Sequence, residues 1–420
     1  MASVKISVDR LQPGVYVRLP TKWNQHPFLL NRFKIKDQHQ IDVIKKLNLL
    51  FVYYDPDKSE VSPLSPFEEK KEVERKETDP SVIENAIEQL WGDKKDQIES
   101  LNNYRRRVAR CEQDFERSVN RLRVAFKKLK LHPGDSILEL NELVDDIVEK
   151  LLHEGGVALQ LINGSVIGED FHLHSLNVTI ISVMIAKAKG ATEAAIRDIA
   201  FAALVHDLGK MKIPGVILHK TEPLTPPEEN YLRRHAQYGI NMTNEIDNFP
   251  TVAKKVMAQH HERLDGSGYP EGIKAGEIDP AALIVAVADS FDYLCHPQAV
   301  SEQKVPHLAL SYLYKNGKDK YDLENLAILV KFMGVYPPGT IVELSNQMIG
   351  IVIATNSERT LEPEVLVYDE NIPRHQATVI DVGKQELSII GVIAPNKLSD
   401  EVRDYLNPRS RINYFFATDE

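Results

Sequence analysis

Cysteine is nearly missing from this chain: Cys111 and Cys295 are the only two, and neither belongs to a C-x-x-C arrangement. That argues against a disulfide framework and against a thiolate zinc site. No apolar run approaches the roughly 18 residues a membrane span needs. The N-terminus, MASVKISVDRL, alternates apolar and polar residues and lacks the apolar core of a signal peptide. A cytoplasmic protein with no membrane partner is expected. Positive charge is also scarce, with 51 Lys and Arg against 61 Asp and Glu for a formal net charge of −10. No basic block is long enough to follow a nucleic-acid backbone, so no DNA partner is expected, although a small anionic ligand needs only a local positive site. Internal repeats and low-complexity segments are lacking too.

What is there is an ordinary globular composition, 43% apolar and 27% charged, over 420 residues. That length exceeds what one core usually accommodates, so two or three domains are expected. Residues 1–56 read as a small α+β unit: Val4–Val8 and Val15–Val17 alternate like strands, a helical stretch covers about Gln38–Leu47, and Leu50–Tyr54 is a short apolar strand. Residues 57–80 turn to Lys, Glu, Ser and Pro and read as a solvated linker. Residues 81–134 read as a long connecting helix ended by His132-Pro133-Gly134. Its seam, Ile98, Leu101, Tyr104, Val108, Cys111, Phe115, Val119, Leu122, Phe126 and Leu129, recurs at steps of three or four. Such a seam packs on its own protein or pairs two subunits, so a homodimer through the 98–129 helix is one expectation. Residues 135–335 are helical patterns with short breaks. In them Thr192 caps a helix over Ala194–Leu208, and Gly209 stands where a C-terminal glycine belongs. Residues 336–420 read as a β-rich appendage.

Histidine placement is the strongest chemical signal. Asp170-Phe171-His172-Leu173-His174, His206-Asp207-Leu208-Gly209-Lys210, Arg234-His235 and His260-His261-Glu262 each combine histidine with a charged group or a second histidine. Asp289 follows on an apolar helix, Leu283–Leu294. Asp170 and His174 lie four apart, on one face of a helix. Burying His206 and Asp207 unpaired at the end of an apolar helix would cost several kcal/mol at the order of magnitude, and a metal is one way to satisfy them. Adjacent histidines such as His260 and His261 diverge by about 100° on a helix and can address different ions. Imidazole plus carboxylate without thiolate suits iron, manganese or zinc. Taken singly, each motif has a plainer reading: His235 as a satisfied core group, Asp289 as a helix-face acid, Gly266–Pro270 as a turn with a packing tyrosine.

The strings HDLGK at 206–210, HHERLDGSGYP at 260–270 and VAD at 287–289 resemble the HD-GYP family of cyclic dinucleotide phosphodiesterases, over about residues 165–310. The resemblance implies a mainly α fold class: an all-helical HD-type catalytic domain, flanked by a small α+β N-terminal domain and a small β-rich C-terminal appendage. It implies two or three divalent metal ions, iron or manganese, with His174, His206, Asp207, His235, His260, His261 and Asp289 at ligand positions and Asp207 bridging. Asp170 stands where trinuclear members carry a glutamate. The expected activity is hydrolysis of cyclic di-GMP or 3′,3′-cyclic GMP–AMP to a linear dinucleotide. A hydroxide held between metals would attack, and Lys210 would neutralise charge on the phosphorus.

Gly268, Tyr269 and Pro270 form the GYP motif, expected to touch the substrate or a diguanylate cyclase. One departure is plain. Members of the family commonly carry Arg-Pro-x-Arg after the VAD helix, whereas here Cys295–Glu302 contains no arginine, and Lys304 is the substitute charge. A catalytically weak module that binds the dinucleotide or a cyclase is therefore the rival expectation.

Overall fold

The computed structural model describes residues 4–65, 80–153, 158–163, 171–297, 299, 302–355, 359–385, 387–406 and 412–417. Asp170 and most of the expected 57–80 linker lie outside the described residues.

The N-terminal unit is built on β1 (Val4–Ser7), β2 (Tyr16–Arg18), β3 (Arg32–Lys34), α1 (Gln38–Lys46) and β4 (Phe51–Tyr54), an antiparallel sheet of order β1-β4-β2-β3 with one helix. Alternation places Ile6, Val15, Val17 and Val52 in its core, where Ile41 and Ile44 of α1 meet them. Asp37 caps α1 by accepting from the Gln40 amide at 2.9 Å.

α2 (Pro80–Lys128) is a continuous helix of 49 residues. Its first turns, Ile83, Ala86, Ile87 and Leu90, complete the N-terminal core. Lys94, buried, donates through Nζ to the carbonyls of His26 (2.8 Å) and Phe28 (3.1 Å) and to that of Trp23, and so pins this loop to the helix. The seam from Cys111 to Leu129 is buried against Leu140, Leu143, Ile147 and Leu151 of α3 (Pro133–His153). This stretch is therefore covered by the chain itself and is not a free surface for a second copy. Pro133 begins α3, as its missing N–H permits at a helix start.

The helical region continues through α4 (Phe171–Ala188), α5 (Glu193–Val205), α6 (Gly215–Leu218), α7 (Pro226–Arg233), α8 (His235–Asn244), α9 (Thr251–Gln259), α10 (Pro280–Cys295), α11 (Pro306–Asn316) and α12 (Leu323–Met333). By length and composition alone α4 could cross a membrane, contrary to the reading of the sequence, but 78% of it is buried inside the protein. It is the central core helix, ended by Gly190 at φ +72. The region is not wholly helical: β5 (Ala158–Asn163) pairs with the chain's last described strand, Ile412–Ala417.

After α12 come β6 (Ile341–Leu344), β7 (Ile349–Ala354), β8 (Glu364–Val367), β9 (Val379–Asp381) and β10 (Ile389–Val392). They form an antiparallel sheet of order β10-β6-β7-β8-β9. One face packs Val342, Val352, Val365 and Val367, with Leu30 from the N-terminal unit against them. The other packs Ile341, Ile351 and Ile353 under α13 (Asp400–Leu406). β11 (Ile412–Ala417) closes the described chain.

Candidate metal centre

The site forms where α4, α5, α8, α9 and α10 converge, and each supplies its group from a helix end or a buried helix face. Thr192 caps α5 (Thr192 Oγ1 accepts from the Ala195 amide, 3.3 Å), and its apolar face drives the helix into the core. α5 stops at Val205 rather than at Leu208: His206 is its C-cap, and Asp207 opens a 3-10 turn, Leu208–Lys212. Gly209 is therefore not a left-handed helix terminator. A Cβ there would lie 1.9 Å from the His235 carbonyl oxygen and 2.5 Å from the Gly239 nitrogen. Only glycine lets this turn touch the backbone of α8, and that contact brings His206 and Asp207 beside His235.

Asp207 sits at the centre. Its Oδ1 lies 3.2 Å from His235 Nε2 and 3.9 Å from His260 Nε2, while Oδ2 lies 3.5 Å from His174 Nε2 and 3.3 Å from His206 Nε2. Asp289 Oδ1 is 3.1 Å from His174 Nε2, and its Oδ2 is 3.7 Å from His261 Nδ1. Two groups able to hold a metal ion result: Asp207, His235, His260 and His261, and His174, His206 and Asp207. His260 is the C-cap of α9 and His261 follows it, so their divergence comes from the helix ending rather than from two positions along it.

These residues fit a pair of cations. His206 Nδ1 is held by the Ala203 carbonyl (2.7 Å), His235 Nδ1 by that of Leu232 (2.7 Å), and His260 Nδ1 by that of Val256 (3.0 Å). His174 Nδ1 is held by Asp292 Oδ2 at 2.7 Å. With Nδ1 donating outward, each Nε2 presents its lone pair to the centre, the arrangement that metal-binding histidines need. His235 Nε2 faces His261 Nε2 at 3.2 Å and His260 Nε2 at 3.4 Å, while His174 Nε2 meets Asp289 Oδ1 at 3.1 Å. Among the described residues, His206 Nε2 and Asp207 Oδ1 are buried with no hydrogen-bond partner. Burial lowers His260 to about 3 and His261 well below the usual imidazole range, so both are neutral bases at neutral pH. At His206, burial is outweighed by the Asp207 and Asp289 carboxylates, which push it up to about 10.

A cleft of 520 Å³ opens above the cluster, lined on the cluster side by Lys210, His235, His261 and Asp289. Lys210 Nζ is 2.6 Å from Asp207 Oδ2. The GYP loop packs directly on the cluster: a Cβ at Gly268 would lie 2.4 Å from Glu262 Cα, and Tyr269 stacks on His261 at 4.5 Å and 26°. Glu262 Oε1 anchors the loop by accepting from the amides of Glu271 (2.8 Å) and Gly272 (3.1 Å). Pro270 is its exposed end. Lys304 is not among the residues that line the cleft; its Nζ lies over the ring of Tyr312, which does, at 5.3 Å. The sequence reading missed Asp292, Asn177 and His296. Asp292 is buried and binds His174, His296 Nδ1 (3.1 Å) and Asn177 Nδ2 (2.8 Å). The signal was its spacing, three residues after Asp289 on one face of α10.

Comparison with known proteins gives the class first. Residues 164–324 match the HD domain family, and residues 3–138 match a domain of unknown function, DUF3391. The helical region is thus similar to the HD domain family, and its string HHERLDGSGYP resembles the HD-GYP form of that family. It is 28% identical to a cyclic di-GMP phosphodiesterase of Pseudomonas aeruginosa, over 62% of this chain and 63% of that protein. It is 40% identical to the cyclic di-GMP phosphodiesterase response regulator RpfG of Xanthomonas campestris pv. campestris, over 31% of this chain and 35% of that protein. With 3′3′-cGAMP-specific phosphodiesterase 3 of Vibrio cholerae the identity is 32%, over 39% of this chain and 35% of that protein. The chain thus spans less than two thirds of the length of each of these relatives.

Proposed function

We propose that this chain is a metal-dependent phosphodiesterase that hydrolyses cyclic di-GMP or 3′,3′-cyclic GMP–AMP to a linear dinucleotide. The observation that carries the reading is Asp207, whose two oxygens face two separate sets of imidazoles on the floor of a cleft large enough for a nucleotide. The relatives above, named for these two substrates, support it. His174, His206, His235, His260, His261, Asp207 and Asp289 would hold two ions, iron or manganese, with Asp207 between them; Asp170 is the candidate for a third.

Bound ions would supply Lewis acidity at a phosphate oxygen and lower the pKa of an attacking water. The chain's own residues do the rest. Asp292 and the carbonyls of Ala203, Leu232 and Val256 keep the imidazoles fixed in one tautomer. Lys210, whose Nζ is 2.6 Å from Asp207 Oδ2 and which lines the cleft, would neutralise charge on the phosphate. Tyr269 covers His261 and keeps bulk water from that side. A water oxygen bonds to phosphorus, the bond to the ribose 3′ oxygen breaks, and that oxygen takes a proton. Pro270, exposed beside Ser267 and Glu271, would be the part of the GYP motif that a diguanylate cyclase touches.

Protein loaded anaerobically with iron or manganese should convert at least one of the two cyclic dinucleotides to its linear product. Turnover of neither would sink the assignment. A second reading, a weak module that binds the dinucleotide for signalling, is favoured by the arginine-free stretch after α10. Under it His206→Ala and Asp207→Ala would leave signalling in cells intact, whereas an enzyme loses it.

A further inference from the structure

A cyclic dinucleotide carries two phosphodiesters in one closed ring. While the imidazole floor and Lys210 hold the one that is cut, the other must lie elsewhere in the cleft. Charge there opposes it, since Glu222, Glu229 and Glu302 all line the walls. Besides Lys210, the lining holds two cations, Arg233 and Arg263. Arg263 is committed: it donates to the carbonyls of Glu262 (2.8 Å) and His260 (3.1 Å) and to Ser290 Oγ (3.2 Å). Arg233 is placed differently. It ends α7, which Thr225 and Glu228 cap reciprocally and which buries no residue fully. His235 follows two residues later, so the backbone ties Arg233 to the cluster. Its guanidinium lies over the Tyr269 ring at 4.9 Å, and Tyr269 in turn stacks on His261. Its Nη2 donates to Glu229 Oε1 at 2.6 Å, one turn back on the same helix.

We infer that Arg233 anchors the second phosphodiester of the substrate, the one that is not cut. This rests on the phosphodiesterase reading. A guanidinium offers five N–H donors in a planar fork that matches a phosphate. Among the described residues, the hydrogen bond it makes is the one from Nη2 to Glu229. The face of Tyr269 holds the guanidinium without consuming its donors. Arg233 and Glu229 are half exposed, 46% and 53%, and an ion pair so placed contributes little, so a phosphate can displace the carboxylate. Distance agrees with this placement. In the substrate one ribose separates the two phosphates, and in the cleft one aromatic ring, Tyr269, separates Arg233 from His261. Cations at the floor would neutralise the phosphate that reacts. The other, facing three carboxylates, needs a positive charge of its own, and Arg233 supplies it.

The test compares cyclic di-GMP with its analogue in which one linkage is a methylphosphonate, neutral where the phosphate is charged. Manganese-loaded wild type should cleave the analogue with kcat/KM lower by roughly tenfold or more, beyond the factor of about two that its single scissile bond imposes. In Arg233→Ala that penalty should disappear, because the charge it depends on is gone, whereas Arg233→Lys should keep part of it. Glu229→Gln leaves the fork in place and should keep the penalty or enlarge it. If Arg233 merely braces Tyr269, or touches a base, Arg233→Ala falls equally on both substrates and the penalty survives, which overturns the anchor. A wild type without the penalty, or a Glu229→Gln variant that loses it as Arg233→Ala does, overturns it as well. Equilibrium dialysis of the same two ligands keeps the two readings apart. A wild type that binds but does not cleave defeats the phosphodiesterase reading alone, and the anchor is then judged by whether the affinity penalty disappears in Arg233→Ala. One that does neither defeats both.

Discussion

Asp292 is a carboxylate with no solvent exposure and three partners, and it decides how His174 presents itself. Burial alone would raise its pKa; the His296 and His174 rings reverse that and hold it well below the usual carboxylate range. As an anion it fixes the proton of His174 on Nδ1 and leaves Nε2 for a cation. Asp292→Asn keeps the shape and removes the charge, so we expect metal affinity to fall about tenfold or more while the fold survives. Titration of stripped protein with manganese would show this, and an affinity equal to wild type would remove Asp292 from the centre. The sequence named His174, His206, Asp207, His235, His260, His261 and Asp289 together through the HD-GYP resemblance, and the fold gathers them in one cluster. Asp292 was not named, since a single acid on a helix has many bland explanations until the fold shows what it faces. Gly209 was visible but misread: its spacing suggested a helix terminator, and only the neighbouring α8 backbone reveals a close approach.

Among the elements, those with local causes were legible. Thr192 and Gly190 bound two helices through capping and a left-handed turn, and both are readable from a few residues. β3 escaped notice because three residues, Arg-Phe-Lys, are too few for alternation to register. The pairing of β5 with β11 joins segments separated by most of the helical region and a five-stranded sheet, and no local pattern encodes such a register. The loop between β2 and β3 carries another buried dependence. His26 has no solvent exposure, and its carbonyl accepts from Lys94. Burial lowers its pKa from 6.5 to about 4, with the Asn31 bond opposing and Lys94 reinforcing. A folded pKa below the unfolded one means the unfolded chain takes up the proton first, so stability is full above pH 6.5 and is lost as pH falls toward 4. At about 1.4 kcal/mol per pH unit the loss reaches roughly 3 kcal/mol across that window. His26→Gln should therefore show a shallower drop in the N-terminal unit's melting temperature between pH 7.5 and 4.5 than wild type does. Equal drops would mean that His26 is not what titrates there.

The whole molecule is organised around α2, which ends in two cores at once: Ile83 and Leu90 belong to the N-terminal one, Phe115 to Leu129 to the helical one. Between them much of the helix is exposed, so few apolar contacts oblige the two cores to melt together. Cations bound at Asp207 stabilise only the folded helical core, by about 4 kcal/mol when free metal is a thousandfold above its dissociation constant. For a domain of that size this corresponds to a rise of roughly 10 °C in melting temperature. The protein's two tryptophans, Trp23 and Trp91, both lie in the N-terminal unit or on the stretch of α2 that packs against it. Tryptophan fluorescence therefore reports one core, while far-UV circular dichroism is dominated by the other. Loading with manganese should raise the dichroism midpoint by about 10 °C and leave the fluorescence midpoint within about 2 °C, and Asp207→Asn should abolish the rise. If both midpoints move together, α2 couples the cores into one cooperative unit, and a ligand at either end would then be felt at the other.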